Sequence, residues 1–460
     1  MSSWSHLPRR QFLIASAASI AGITQGRGEQ QAKGGQAKST ILFFLCGGAS
    51  HIDTWDMKPD APEEYRGPFQ PKATTAPEIS LSEHLPLLAQ QAHHLAIIRS
   101  INGKVNTNDH HAGYYYNLTG HVPDQTFLTL GNNRTPQSDD WPFMGSVVAA
   151  RKSRKQGPGA ITLPHKPSKA PYTRPGQFAA KLGKIHDPLY VMGNNEKPLE
   201  FTAPALMLSG DVSAARLQHR KELLQAIDRA KEELATSNSS TDPIQEQAFS
   251  LLISSRATKA FDLESEPEKL RNRYGNTVNA MSLLLARRLV EAEVPFITVF
   301  WKENQQIAKK CRSAGGWDTH GNNFNCLKEH LLPEFDQAFS ALIGDLAEKG
   351  LLAQTTVLVT SEMGRKPKIG DPRSGGTYGA GRDHWTYCLS NILAGGGIRG
   401  GQTYGRSDAK AEFPADKPVT PANIVRTIYH TMGIDDMKIR DRFDRPLQLV
   451  DDAPPLKELF

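Results

Sequence analysis

In one glycine-fenced loop, Gly315-Gly316-Trp317-Asp318-Thr319-His320-Gly321, a carboxylate and an imidazole stand two residues apart. Similar groups occupy other loops: Asp53 and Asp56, His110 and His111, Glu362, and Asp383 with His384. Carboxylate oxygens and imidazole nitrogens that converge from separate elements form the ligand set of a divalent cation such as Zn²⁺. Asp318, His320 and His384 are the expected metal ligands. His110, Asp53 and Glu362 are the expected catalytic groups. His110 would serve as nucleophile, general acid or base, or ligand, and Asp53 and Glu362 as general base or ligands of a second ion. Arg365, Arg382 and Lys104 share these loops, and a cationic group beside a metal suits a phosphate or sulfate oxyanion. Plainer roles compete: Asp53 capping a turn, Glu362 paired with Arg365, the arginines balancing local carboxylates.

The elements that must position these groups can be read from hydrophobic patterning. Residues 39–46 (STILFFLC), 95–101 (LAIIRSI), 294–301, 355–360 (TTVLVT) and 386–393 are apolar runs of strand length, several of which end in glycine or a polar loop. Continuous runs of this kind predict strands buried on both faces. Between them, helical spacing marks 81–94, 112–119 with Asn108 or Asp109 as cap, 276–293, a helix from Leu327 to Gly350, and one opened by Thr420-Pro421. Such alternation predicts an α/β fold: a mostly parallel central sheet flanked by helices on both faces. The candidate groups follow the strands, at the carboxyl edge where ligands of open α/β sheets bind. The expected organisation is a single α/β domain over 39–450, with a largely helical insertion at about 205–275 and a tail over 451–460.

The first 38 residues read as an export address. Pro8-Arg9-Arg10-Gln11-Phe12-Leu13 is a twin-arginine pattern, followed by an apolar run to Ile23. That run is shorter than the ~20 residues of a membrane span and matches a bacterial signal. The twin-arginine translocase is therefore an expected partner, with a periplasmic or extracellular destination and no stable membrane span in the mature chain. The net charge of +6 includes five basic residues and one acid in this segment, which leaves +2 beyond it. So weak a balance argues against a nucleic-acid partner. No GxGxxG or Walker pattern fits a strand–helix turn. No pair among the four cysteines has CxxC spacing. Cys46 and Cys388 lie in apolar runs as buried thiols, and Cys311 and Cys326 can bridge in an oxidising compartment.

Several motifs together carry a family resemblance: the twin-arginine start, LCGGASHIDTWDMKP, LAIIRSI, DHHAGYYYNLTG, RYGN followed by LLLARRLVEAEVPFITVFW, GGWDTHG, LVTSEMGR and GRDHW. Over residues 39–450 the chain resembles the bacterial domain-of-unknown-function family 1501, grouped with the alkaline phosphatase and sulfatase superfamily. The resemblance implies that superfamily's fold and a metal-dependent hydrolysis of phosphate or sulfate esters, small or polymeric. The superfamily's order of parts falls here on Asp53, on the His110 region before Thr119-Gly120, on Asp318 with His320, on Glu362 and on His384. His110 stands where a nucleophilic Ser or Cys would be expected. Met363 stands where a second-metal histidine would be expected, and a thioether is a poor ligand for a hard ion. One ion is therefore better supported than two. The alternative is a non-catalytic secreted binding or structural protein that retains the fold.

Overall fold

The computed structural model describes residues 35–103, 109–152, 157–169, 172–203, 259–311, 316–370, 381–450 and 452–460. The expected export signal, Lys104 and most of the expected helical insertion lie outside them. At the described end of that insertion, Glu268–Tyr274 is helical.

Eight strands build the central sheet: β1 (Ser39–Phe44), β2 (Leu95–Ile101), β3 (Ala160–Leu163), β4 (Leu189–Tyr190), β5 (Phe296–Phe300), β6 (Thr355–Thr360), β7 (Leu389–Ala394) and β8 (Gln402–Tyr404). Their order is β8-β2-β7-β6-β1-β5-β3-β4. β1 pairs in parallel with both β5 and β6, and β3 and β4 extend that parallel set. β7 alone runs against its neighbours β6 and β2. The fold is thus α/β with a mostly parallel sheet, as the strand–helix alternation predicts.

Side-chain alternation along β1 shows that both faces are covered. Adjacent residues of a strand point to opposite faces. Phe43 stacks on Phe335 and meets Phe339, whereas Phe44 lies 4.7 Å from Tyr114. Tyr114 belongs to α1 (His110–Thr119), and Phe335 and Phe339 belong to α5 (Leu332–Glu348). Between them in sequence come α2 (Val278–Glu291), α3 (Gln305–Cys311) and α4 (Asn323–Cys326), with α6 (Pro421–Thr431) last. α2 packs against α5, and α6 against α1. Every residue of β1 and β6 is buried, which is why these strands read as unbroken apolar or β-branched runs rather than alternating ones.

Local chemistry sets the helix ends. The Asp109 carboxylate accepts from the His111 N–H at 2.6 Å and caps α1, and Gly120 closes it at φ 78°. Thr420 and Asn423 form a capping box on α6, with Pro421 in its first turn. The expected helix over 81–94 is broken up instead: Ser80–Ser82 is a strand, Pro86–Gln90 one short helix and Ala92–His94 a 3₁₀ turn. Pro86 is the physical reason, because the residue before a proline is pushed out of the helical region. The expected tail is packed: Leu456 and Leu459 are buried, and the Arg399 N–H donates to the Leu459 carbonyl at 2.8 Å. No helix among the described residues is long and apolar enough to cross a membrane.

Cys311 at the end of α3 and Cys326 at the end of α4 form a disulfide with Cα atoms 5.1 Å apart, while Cys46 and Cys388 are buried thiols. The bridge closes a loop of 15 residues that holds Asp318 and His320. A closed loop of that length stabilises by about 3 kcal/mol. Replacing both cysteines by serine is expected to lower the unfolding free energy in denaturant melts by roughly that amount. An unchanged midpoint would contradict a structural role for the bridge.

Candidate metal centre

Backbone contact, rather than side-chain attraction, brings the ligand loops together. After β1, Gly47 adopts φ 118°, and a Cβ there would lie 2.2 Å from the Asp318 nitrogen. The Trp317 N–H donates to the Cys46 carbonyl at 3.0 Å. The Trp317 indole is buried edge-on against Trp301 and Phe335. Gly381 approaches the carbonyl of His320 so closely that a Cβ would overlap it at 1.5 Å. A short ribbon pairs Gly364–Arg365 with His384–Trp385 and sets Arg365 opposite His384. The helix-opening position of α1 supplies His110.

Asp318 is the hub. Its Oδ1 lies 3.0 Å from His320 Nε2 and 3.2 Å from His384 Nε2, and its Oδ2 lies 3.5 Å from His110 Nε2. The Arg365 guanidinium also donates to Oδ1. His320 Nε2 and His384 Nε2 face each other at 3.0 Å. Two neutral imidazoles can meet this way only as donor and acceptor, or as two lone pairs aimed at a shared cation. Asp383 Oδ1 holds the other nitrogen of His320 at 3.0 Å, the carboxylate support that ligating histidines commonly have. Two groups bring their ligand atoms within 4.8 Å of one another: His110, Asp318 and His384, and His320, Asp383 and His384. The donor types and their convergence fit a divalent cation.

The charges are polarised to match. Burial opposes ionisation of Asp318, but Arg365 and the three histidines outweigh it and hold the carboxyl well below its usual range. Burial likewise opposes charge on His110, yet its bonds to Asp318 and Glu362 raise it overall. His384 is lowered by burial, reinforced by Arg365 and His110, and so favours the neutral form a metal needs. Bonds to Asp318 and Asp383 push His320 up to about 9. A folded pKa above the unfolded value of about 6.5 means His320 stabilises the cation-free fold fully below that pH. The contribution is lost as pH rises through about 9. Urea melts of chelated protein are expected to show this decline, and His320→Gln to flatten it. An equal decline in the variant would assign it to other groups.

The remaining expected residues fall into two sets. Glu362 stands behind His110: its Oε1 lies 2.8 Å from His110 Nδ1 and accepts from the Gly47 N–H at 2.9 Å. Arg365 is committed to the carbonyls of Gly47 and Gly48 as well as to Asp318, so it props the centre rather than facing a ligand freely. Asp53 and Arg382, expected as a catalytic and an oxyanion-binding group, are placed elsewhere and with each other. Arg382 Nε and Nη2 donate to the two Asp53 oxygens at 2.7 and 2.9 Å, with both side chains fully buried. Ser50 and Asn323 complete the Asp53 shell at 2.6 and 2.9 Å. Asn323 in turn accepts from Thr319 between Asp318 and His320, and Arg382 immediately precedes Asp383 and His384. This pair is a clamp under both ligand loops. Asp53→Ala leaves a buried guanidinium uncompensated and is expected to cost roughly 3–5 kcal/mol in equilibrium unfolding. A loss below about 1 kcal/mol, the range of exposed pairs, would show the clamp to be dispensable. Asp56 is occupied similarly by Lys58 at 2.9 Å and Ser407 at 2.5 Å.

A cavity of about 610 Å³ opens beside the centre, with His110 and Asp318 in its wall and Arg174, Lys302 and Glu303 among its other lining groups. None of those three was expected. Lys302-Glu303 comes directly after the β5 segment, so the strand-end rule reaches them. Arg174 follows a two-residue strand in a loop-rich stretch, where patterning gives no signal.

Sheet and site together define an α/β protein with an imidazole–carboxylate cluster at the carboxyl edge of its strands. The chain belongs to the family described as "Protein of unknown function (DUF1501)", whose model matches residues 37–460. No curated protein matches it. Similar solved structures include the PsFucS1 sulfatase from Pseudoalteromonas sp., 14% identical over 94% of this chain and 73% of that one, at a TM-score of 0.41. A mutant of the alkaline phosphatase PafA is 9% identical over 92% of this chain and 99% of that one, at 0.44. The phosphonate monoester hydrolase SpPMH from Silicibacter pomeroyi is 10% identical over 91% and 76%, at 0.38. With scores this low, function has to be read from the side chains of this chain.

Proposed function

We propose that this protein is an exported, metal-dependent hydrolase of phosphate or sulfate esters. The observation that supports it most is the convergence of ligand atoms from His110, Asp318, His320 and His384 beside an open cavity. Asp318, His320 and His384 would hold one divalent cation, with Zn²⁺ as the first choice for such donors. Both ligand groups use His384, which favours one ion over two. When bound, the cation would polarise an ester oxygen and make water more acidic. Glu362 fixes His110 through Nδ1 and leaves Nε2 toward the centre, where it can take or give a proton. Arg365 keeps Asp318 ionised and oriented. The twin-arginine pattern and the Cys311–Cys326 bridge both favour an oxidising destination, periplasmic or extracellular, reached through the twin-arginine translocase.

A second reading is a secreted binding protein without turnover. It is favoured by a histidine, rather than a hydroxyl or thiol, at the start of α1. Metal analysis of protein folded in vivo, with assays on aryl phosphate, aryl phosphodiester and aryl sulfate, separates the two. Near-stoichiometric divalent metal is expected, with turnover of at least one ester class. His384→Ala is expected to weaken metal binding by roughly a hundredfold or more, beyond what changes behind a ligand cause, and to remove turnover. Negligible metal together with indifference to chelators would sink the metal reading. Stoichiometric metal with no turnover of any of these esters would favour the binding protein.

A further inference from the structure

The cavity beside the centre is lined by two cationic side chains, Arg174 and Lys302, that form no ion pair among the described residues. Arg174 lies with its guanidinium carbon 4.8 Å over the Tyr114 ring, and its Nη1 is buried without a hydrogen-bond partner among the described residues. A buried donor left unpaired is costly and calls for an explanation. No ion pair holds Arg174 or Lys302 among the described residues; Glu303 is near enough to feel the Arg174 charge but forms no bridge to it. Arg174 and Lys302 thus share the cavity with two carboxylates, Glu303 and Asp318, and Asp318 is already held by Arg365. The backbone beneath Arg174 is fixed: its N–H donates to the Pro167 carbonyl at 3.3 Å, and its carbonyl accepts from Gln177 at 2.7 Å. His165, in the same wall, has an unpartnered buried Nδ1, and burial with Lys302 nearby pulls it down to about 3, so it is neutral. Neutral imidazole and the Asn195 amide offer hydrogen bonds rather than charge.

We propose that this cavity receives the non-reacting part of the substrate and that Arg174, with Lys302, recognises a second anionic group on it. The preferred substrates are then phosphate or sulfate esters whose alcohol portion bears a carboxylate or a further acidic group, with hydroxyls set against His165 and Asn195. The volume of about 610 Å³ lies within the usual range of small-molecule sites and exceeds what an inorganic anion fills. Arg365 and Arg382 cannot serve this purpose, because one is bound to Asp318 and the other to Asp53. This inference rests on the hydrolase reading only for the word substrate; the anion preference of the cavity is testable without turnover.

The test uses two inert probes that differ by one group, benzylphosphonate and 4-carboxybenzylphosphonate, titrated calorimetrically into the metal-loaded full chain. The carboxylated probe is expected to bind at least about tenfold tighter, the range of one charge-assisted hydrogen bond. Arg174→Gln is expected to abolish that advantage, read as the ratio of the two affinities within the variant. Lys302→Gln, at the partly exposed rim where folding is not at stake, is expected to reduce the advantage severalfold. Equal affinities in the unmodified protein, an advantage that survives Arg174→Gln, or no binding of either probe would overturn the proposal. Turnover of simple aryl esters with equal probe affinities would remove only this inference. Selective probe binding without turnover of any ester would remove only the hydrolase reading.

Discussion

One carboxylate organises the site. Asp318 gathers His320, His384 and, more distantly, His110, and Arg365 anchors the same oxygen that two of the histidines approach. A carboxylate largely withdrawn from water, as Asp318 is, is costly unless it is paired and hydrogen-bonded. The neighbouring histidines come from separate segments, and the backbone contacts that bring those segments together let all of them satisfy that one charge. The alternating strands and helices put the segments on a common edge, and Asp318 decides which of their side chains meet. Elements that look remote from the chemistry serve this arrangement: the Trp317 indole buried against Trp301 and Phe335, the Asp53–Arg382 clamp, and the bridge from Cys311 to Cys326.

The division of labour among the charged groups follows burial. Arg365 and Arg382 are fully buried and committed to fixed partners. Arg174 and Lys302 line the open cavity and have no such partner among the described residues. A cation paired inside the protein contributes structure, and an unpaired one beside a cavity contributes attraction for an incoming anion. Sequence proximity to Asp318 and His384 does not distinguish these roles; only the partners do.

Much of the fold could be read from the chain because buried strands leave a strong mark. β5 and β6 are continuous apolar or β-branched runs, β1 departs from one only at Ser39 and β2 only at Arg99 and Ser100, and α1 and α6 carry recognisable caps. The helix expected over 81–94 failed at Pro86, where a backbone restriction overrode apolar spacing. The strand-end rule brought Asp318, His320, His384, His110 and Glu362 into view, and the structure brings these five together. It could not separate Asp53 and Arg382 from them. Pairing across hundreds of residues leaves no local trace, and an aspartate that holds an arginine looks the same in sequence as one that could hold a metal. Arg174 was invisible for the converse reason, since nothing periodic surrounds it.

The glycines at the ligand loops have a further consequence. Gly47 lies against the backbone of Asp318, and Gly381 against that of His320, at distances that exclude even a methyl group. Contact of this kind is repulsive and short-ranged. Unlike the charges around Asp318, it does not weaken with added salt and does not titrate. The positions of the backbone that carries Asp318 and His320 are therefore set by excluded volume, while the charges those side chains bear remain free to follow pH. Shape and charge at this centre are under separate physical control, so conditions that change its charge need not deform it.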